Sequence, residues 1–563
     1  MGPFGKEMVA ASESDGERTR REAATRRHSA RRRRRRLMRK PVFVMTPGRA
    51  AIYIGASLLL SLTQGLGMNL VSANIPQIQG SIGATTNEAT WLMAAYMAPN
   101  ASLALVLIKV RNQYGLRNFA ELSILGFVLV CAMHLFVTGL NSALVVRFFS
   151  GIAAAPMSSL AFLYMLEAFP QDKKLSYGVS LAMTNTLLAA PLARLVSPHL
   201  LDIGEWDGLF TFEMALALLS FAAIYLLPLK PQPRIHVITG MDIVSYLLIA
   251  VGFGTLAVVL TLGRLYWWLE APWLGVTLAV SVACVTLAVV VELNRKSPLL
   301  DIRWLASREI VHFAAALLIF RIVLSEQSSV AANFFQALGL MNDQLRTLYL
   351  IMIVASLAGG LACAAVLKPG REPALHAVAL GLLVIGSWLD SHATNLTRPA
   401  QMYVSQAMIA MAAAFFLPPA MAAGLASALK KGPNYILSFF IVFLVTQNIG
   451  ALLGSAVLQT FVTLREKFHS NLLVEHITLA DPLVVQRIGQ LSGPYSGTLT
   501  DKTLLGAEGL AILGKRATQE ATILAYNDAF LLVAVLSFLA LVALLLHMAA
   551  MWYFRTPAEP ASA

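Results

Sequence analysis

Leu274-Gly-Val-Thr-Leu-Ala-Val-Ser-Val-Ala-Cys284-Val-Thr-Leu-Ala-Val-Val-Val-Glu292-Leu-Asn-Arg295-Lys296 decides the fold. From Leu274 to Val291 no residue is charged, and at 1.5 Å per residue an α-helix of that length spans about 27 Å. The hydrocarbon core of a bilayer is ~30 Å thick, so this run reads as a membrane-crossing helix that ends on two cations. Similar runs recur along the chain, centred near Leu62, Ala98, Leu129, Ala155, Leu187, Leu218, Val251, Val282, Ile322, Ala355, Leu383, Ala412, Leu444 and Phe538. The fold class read from them is all-α, a polytopic membrane protein with fourteen predicted transmembrane helices.

Charge between the runs fixes the orientation. Lys109, Arg111 and Arg117 follow the second run, Lys173 and Lys174 the fourth, and Lys230 and Arg234 the sixth. Arg295, Lys296, Arg303 and Arg308 follow the eighth, Lys368 and Arg371 the tenth, Lys430 and Lys431 the twelfth, and Arg555 the last. The alternate short junctions carry only Arg264, Arg346 and Arg398. Basic loops stay in the cytoplasm, so both termini are expected there.

Composition agrees: 57% hydrophobic and 13% charged residues in a chain of 563 leave too little polar surface for a soluble protein. The net charge of +13 is concentrated at one end, where Arg31 to Arg36 form an unbroken run within a basic tail. Such a block reads as a solvated tail that reinforces topology or touches anionic lipid, and nucleic acid is not an expected partner. Met38 and Met45 offer alternative starts, and no signal-peptide pattern precedes the first run. Cys131, Cys284 and Cys363 fall in separate runs with no paired spacing, so no disulfide framework or metal site is expected.

One junction is long. Residues 465–519 mix apolar clusters (Leu472 to Val474, Leu483 to Val485) with charges and a Gly/Pro/Ser break, and they read as two or three short amphipathic helices or as a mobile loop. A weak internal repeat also shows, because Lys109 to Arg117 and Lys368 to Arg371 are both short basic turns that contain a glycine. The expected organisation is a basic tail over 1–48, a six-helix half over 49–230, an inserted helix pair over 231–297, a second six-helix half over 298–555 and a tail over 556–563.

Several motifs carry a resemblance. Leu144-Val-Val-Arg147-Phe-Phe-Ser-Gly151-Ile-Ala-Ala-Ala-Pro156 follows an R-x-x-x-G pattern with small residues after it. Asn74-Ile-Pro76 closes the first run, Thr90-Trp91 opens the second, Leu300-Asp301 to Arg308 precedes the ninth, and Asn448-Ile-Gly450-Ala-Leu-Leu-Gly454 lies in the thirteenth. From about Ile52 to Phe554 the chain resembles the fourteen-spanner drug:proton antiporters of the major facilitator superfamily, the EmrB/QacA-like group. The resemblance implies two six-helix halves plus an inserted pair, a role for Arg147 in the proton pathway and, in a double-membrane bacterium, a periplasmic adaptor and an outer-membrane channel as partners. It also exposes departures. The group commonly has an aspartate where this chain has Gly67, and a basic turn with Asp and Arg where this chain has Asn112 and Gln113.

The chain's own ionisable residues therefore have to be weighed. A charge at membrane depth costs at least ~2.5–3.5 kcal/mol on insertion scales and so faces a cavity or a partner. Glu326, Glu213, Arg147 and Arg321 are the proton-coupling candidates. Arg321 and Glu326 stand five residues apart, about 140° around a helix, too far for a simple intrahelical pair. For Glu213 the competing reading is an interfacial position just past Trp206; for Arg147 it is a guanidinium satisfied by backbone carbonyls. Arg194, between Pro191 and Pro198, is a substrate-cavity candidate whose competing reading is a place near the outer end where it snorkels. Gln64, Asn69, Asn100, Asn185, Gln447 and Asn448 are the other substrate-cavity candidates, each of which also reads as polar glue between helices. Gly450 and Gly454 fit a small-xxx-small helix contact.

No P-loop, H-E-x-x-H or G-x-S-x-G motif occurs, so ATP-driven transport and the common hydrolases are not indicated, and no cofactor is expected. The reading is a proton-coupled exporter of amphipathic organic compounds in a cell inner membrane. A transporter-derived scaffold or sensor and an uptake permease are the alternatives.

Overall fold

The computed structural model describes residues 45–230, 234, 238–295 and 298–553. The expected tails over 1–48 and 556–563 lie outside the described residues, apart from 45–48. Among the described residues every regular element is helical.

A helix covers each of the fourteen centres. The first eight are Pro47–Ala73 (α1), Thr86–Tyr114 (α2), Leu116–Phe136 (α3), Leu140–Ala168 (α4), Lys174–Ile203 (α5), Trp206–Leu226 (α6), Gly240–Leu262 (α7) and Pro272–Leu293 (α8). Next, Arg308–Ser325 passes through a π-helical turn at Glu326–Ala331 into Ala332–Ala337, and together these form α9. Arg346–Val366 (α10), Glu372–Asp390 (α11), Pro399–Lys431 (α12), Ser438–Glu475 (α13) and Lys502–Tyr553 (α14) complete the set. Twelve of these helices are long and apolar enough to cross a membrane, thirteen if the two limbs of the bent α2 count as one. α9 stands apart for a physical reason: it carries Arg308, Glu309, Arg321 and Glu326, and its hydrogen-bond ladder loosens at Glu326.

The weak repeat has a backbone counterpart. Gly115 and Gly370, the glycines of the two basic turns, adopt φ +87° and +89°, a region that only glycine enters without strain. The first turn is fastened to the chain that leads into α7. Lys109 Nζ and Arg295 Nη2 both donate to Asp242 Oδ1, at 2.8 and 2.6 Å, and the Ile238 N–H donates to Gln113 Oε1 at 2.9 Å. Arg295 also reaches Glu292 at 2.7 Å, whose other oxygen accepts from the Leu300 N–H. Burial works against the Arg295 guanidinium, but its hydrogen bonds to Asp242 and Glu292 hold it above its usual range. The α7–α8 pair is thereby tied both to the basic turn after α2 and to the entry of the second half.

The largest apolar core joins the halves. It runs from Met165, Val179 and Met183 to Leu348, Met352, Ala410 and Phe416 on α10 and α12, and on to Phe530 of α14. Shape-matched packing of this kind, together with hydrogen bonds between helices, distinguishes one helix arrangement from another where lipid tails are as apolar as leucine.

The long junction departs from the sequence reading. One short helix, Pro482–Ser492, replaces the expected two or three, because α13 runs on to Glu475 and α14 already begins at Lys502. At 1.5 Å per residue, α13 and α14 are about 57 and 78 Å long, well beyond a bilayer's ~30 Å core. Their extensions are held together by Asp528 Oδ2, which accepts from Arg465 Nε at 2.5 Å and meets His469 Nε2 at 2.7 Å.

Candidate functional site

A cavity of about 1440 Å³ lies between the halves. Its wall includes Pro76 and Thr90 near one end, Lys109, Arg111 and Asp301 near the other, and Gln327 and Asn448 between. Of the substrate-cavity candidates, Arg194, Gln64, Asn69, Asn100, Gln447 and Asn448 line it. Asn185 does not; it sits one layer back, with its Nδ2 3.5 Å from the Oγ of the cavity-lining Ser57. Several of these groups are partly spent on the fold. Asn100 Nδ2 donates to the Gly151 carbonyl at 3.1 Å, and Asn69 Nδ2 to the Gly65 carbonyl at 2.7 Å.

Of the proton-coupling candidates only Arg321 lines the cavity, where its Nε donates to the Gln447 carbonyl at 3.3 Å. The other three lie behind the wall in two separate clusters.

The first cluster explains the R-x-x-x-G pattern. Arg147 and Gly151 are one helical turn apart on α4. A side chain at Gly151 would meet the Tyr96 carbonyl oxygen at 2.1 Å, so glycine allows α4 to press against α2. The Arg147 guanidinium then lies 4.6 Å from the centre of the Tyr96 ring, and its Nη1 donates to the Gly67 carbonyl at 2.8 Å. Glu213 reaches in from α6. A Cβ at Gly67 would sit 2.4 Å from Glu213 Oε1, so the glycine at the departed aspartate position makes room for a carboxylate from another helix. Arg147 and Glu213 stand beyond ion-pair distance of each other. Among the described residues, Arg147 Nε and Nη2 make no hydrogen bond, although Arg147 is buried, as are Tyr96 and His134 beside it. His134 stacks on Phe210, 4.1 Å between ring centres.

The second cluster contains a residue the sequence reading missed, Asp390. Gln406 Nε2 donates to Glu326 Oε1 at 3.1 Å and to Asp390 Oδ2 at 2.8 Å, so one amide bridges two carboxylates. Ser405 donates to the other oxygen of Asp390. Glu326 and Asp390 are 0% and 2% exposed, Glu326 Oε2 has no partner, and no cation forms an ion pair with either among the described residues. A link to the cavity exists: Gln327 lines it and donates to Gln406, at 3.0 Å to the carbonyl and 3.3 Å to Oε1.

Asn342 was also missed. It joins the halves, its Nδ2 donating to the Ala73 carbonyl at 3.0 Å and to Asn74 Oδ1 at 3.3 Å, while its Oδ1 accepts from Tyr349 and Arg194.

The family model described as Major Facilitator Superfamily matches residues 57–455. The chain belongs to the Major Facilitator Superfamily. Among its curated relatives are the probable multidrug resistance protein EmrY of Escherichia coli (23% identical; 40% of this chain, 43% of the relative) and the fatty acid resistance protein FarB of Neisseria gonorrhoeae (25%; 42% and 47%). A third is the multidrug export protein EmrB of Haemophilus influenzae (23%; 41% and 46%). These matches span about half the length of each relative, and the multidrug-type names agree with the EmrB/QacA-like resemblance. Two solved structures share the fold: the human organic anion transporter MFSD10 (TM-score 0.52, 13% identity, 88% of this chain and all of that one) and the POT family transporter PepTSo (0.52, 13%, 88% and 98%). This superfamily member is thus a multi-pass membrane protein of transporter type, not of an enzyme family.

Proposed function

We propose that the chain exports amphipathic organic compounds across the cytoplasmic membrane in exchange for protons, its two halves alternating access around the cavity. The observation that carries this reading is the carboxylate pair behind the wall. Two buried carboxylates that share one amide and have no cation beside them make a site for a proton, because a second charge there would be neither hydrated nor paired. Loading or emptying that site changes the hydrogen bonds through which Gln406 holds α9 to α11 and α12. The π-helical turn begins at Glu326 itself, so the regular backbone ladder of α9 is interrupted at the carboxylate. Binding in the cavity and proton occupancy are then coupled through Gln327 and Gln406.

α9 supplies the fourteenth crossing in this reading, and both termini lie on the side of the basic turns, which is the cytoplasmic side by the distribution of Lys and Arg. Export as the direction is supported by the relatives' names. The helical projection formed by α13, α14 and Pro482–Ser492 is the part of the molecule that a periplasmic adaptor would engage, so replacing 471–515 by a short Gly/Ser linker is expected to abolish resistance in whole cells and leave transport in vesicles intact. Loss of both would make the projection part of the transporter's own fold.

The deciding experiment uses protein reconstituted in liposomes with an imposed proton gradient. Glu326→Gln and Asp390→Asn are each expected to keep substrate binding and lose proton-driven substrate movement. Unchanged coupling in both, at normal protein levels, rejects the pair as the coupling site.

A further inference from the structure

We infer that the cavity takes amphipathic anions, recognised by guanidinium groups that no carboxylate of the protein neutralises; this rests on the reading of the cavity as the transport path. Arg111, Arg194, Arg264, Arg321 and Lys109 line it, and Asp301 is its one acidic side chain among the described residues. Lys109 is committed to Asp242. Asp301 is committed too, capping the short helix Ile302–Leu305 through the Trp304 N–H at 3.0 Å. None of the four arginines forms an ion pair among the described residues.

Their neutral contacts are few and long. Arg321 reaches the Gln447 carbonyl at 3.3 Å, Arg194 reaches Asn342 at 3.4 Å, and Arg111 Nε is buried without a partner. A guanidinium carries five N–H donors in a fixed fork, so most of this donor capacity is unspent and aimed at planar oxyanions. Cations gathered in a cleft with apolar walls also raise the local concentration of anions and exclude cations.

The charges are spread along the path. Arg111 lies in the last turn of α2, beside the basic turn. Arg321 lies 13 residues into α9 from the same side, about 20 Å along the helix. Arg194 lies nine residues before the far end of α5, and Arg264 just past the far end of α7. A head group moving from one end to the other therefore meets a guanidinium at each level. Met68, Met93, Met97, Phe162, Phe440 and Phe443 supply adaptable apolar wall for the body of the ligand. The recognised chemistry is a carboxylate, sulfonate or phosphate on an apolar body, whether free or as a lipid head group.

The test is binding to the full chain in nanodiscs of zwitterionic lipid, read by energy transfer from tryptophan to three probes with one apolar body: pyrenebutyrate, pyrenebutanol and pyrenebutyltrimethylammonium. Pyrenebutyrate is expected to bind about tenfold or more tighter than the alcohol, and the ammonium weakest. Arg321→Gln and Arg194→Gln are each expected to weaken pyrenebutyrate about tenfold and leave pyrenebutanol unchanged, with Arg321→Lys retaining most of the affinity. Displacement by free dodecanoate or by phosphatidylglycerol added to the discs supports the inference and names the source. Equal binding of the three probes, preference for the ammonium, displacement by neither anion, or anion affinity untouched by both glutamine variants overturns it. The three-probe comparison needs no substitution, so it stands even where a variant does not fold. Because binding is read without transport, loss of export with anion selectivity intact would fault the exporter reading and not this one.

Discussion

The two halves solve the problem of a buried carboxylate differently. In the first, Glu213 shares its pocket with a cation, Arg147, held by the Tyr96 ring and the Gly67 carbonyl. In the second, Glu326 shares its pocket with another acid, Asp390, and only a neutral amide stands between them. Opposite charges at depth support each other, so removing one strands the other. Like charges do the reverse: neutralising either acid relieves the pair. One cluster is therefore expected to act as a fixed structural charge pair and the other as the element that changes state.

The largest effect should come from stranding a charge. Arg147→Ala removes the one cation in the Glu213 pocket, and a buried carboxylate left with no compensating charge costs up to about 3–5 kcal/mol, the value reached when a direct buried pair is broken. Its melting temperature in detergent should fall well below that of the unaltered protein, and Arg147→Ala combined with Glu213→Gln should recover part of the loss. Glu326→Gln or Asp390→Asn should melt no lower than the unaltered protein. A second-half variant that falls as far as Arg147→Ala would erase the distinction.

A smaller effect tests the unusual placement of Glu213. Gly67→Asp puts a side chain where Glu213 Oε1 already lies, 2.4 Å from the new Cβ. Overpacking of this kind costs about 1–3 kcal/mol, here with like-charge repulsion added. Shortening the intruder, in Gly67→Asp with Glu213→Ala, should restore both stability and transport, because a carboxylate again faces Arg147 from the other helix. Equal damage in the single and double variants would mean that the two positions do not share one space.

How much of this was legible in the sequence follows from what burial demands. Run lengths marked where the helices lie, since a bilayer imposes the length directly; a helix covers each of the fourteen centres, and twelve or thirteen of them are long and apolar enough to cross a membrane. Polar residues within the runs were legible as a set, because a side chain such as Gln64, Asn69 or Gln447 at that depth must face a cavity or a helix. Asn185 faces the layer behind because Ser57 takes its amide. Asp390 escaped notice for a local reason: it is the last residue of α11, followed by Ser391 and His392, and reads as a solvated junction. Only the fold returns Ser405 and Gln406 of α12 to cover it. Asn342 and Asp242 were missed likewise, as their partners lie 268 and 133 residues away. The long junction was misread because its charges broke the apolar pattern, whereas the backbone there needs no apolar face to stay helical. Residues 502–520 are rich in Ala, Leu, Glu and Lys, strong helix formers, and between the two long helices Asp481-Pro482 starts the short helix that the Gly/Pro/Ser break ends.

The smallest effect should fall on the link between cavity and carboxylate pair. Gln327 donates to both the carbonyl and Oε1 of Gln406, and it is the cavity-lining member of that chain. Gln327→Ala removes hydrogen bonds worth about 0.5–1.5 kcal/mol in net stability, a change near the limit of a melting experiment. Its functional signature should be larger than its structural one. Gln406 would still bridge Glu326 and Asp390, so the proton site survives, but substrate in the cavity no longer touches the group that senses it. The expected result is proton-driven transport slowed at saturating substrate, with substrate binding and proton occupancy each near normal when measured alone. Gln327→Glu should be worse than Gln327→Ala, since it brings a third carboxylate toward a pair that already lacks a cation. If Gln327→Ala transports at the unaltered rate, coupling does not pass through Gln406, and the second cluster falls back to the same structural standing as the first.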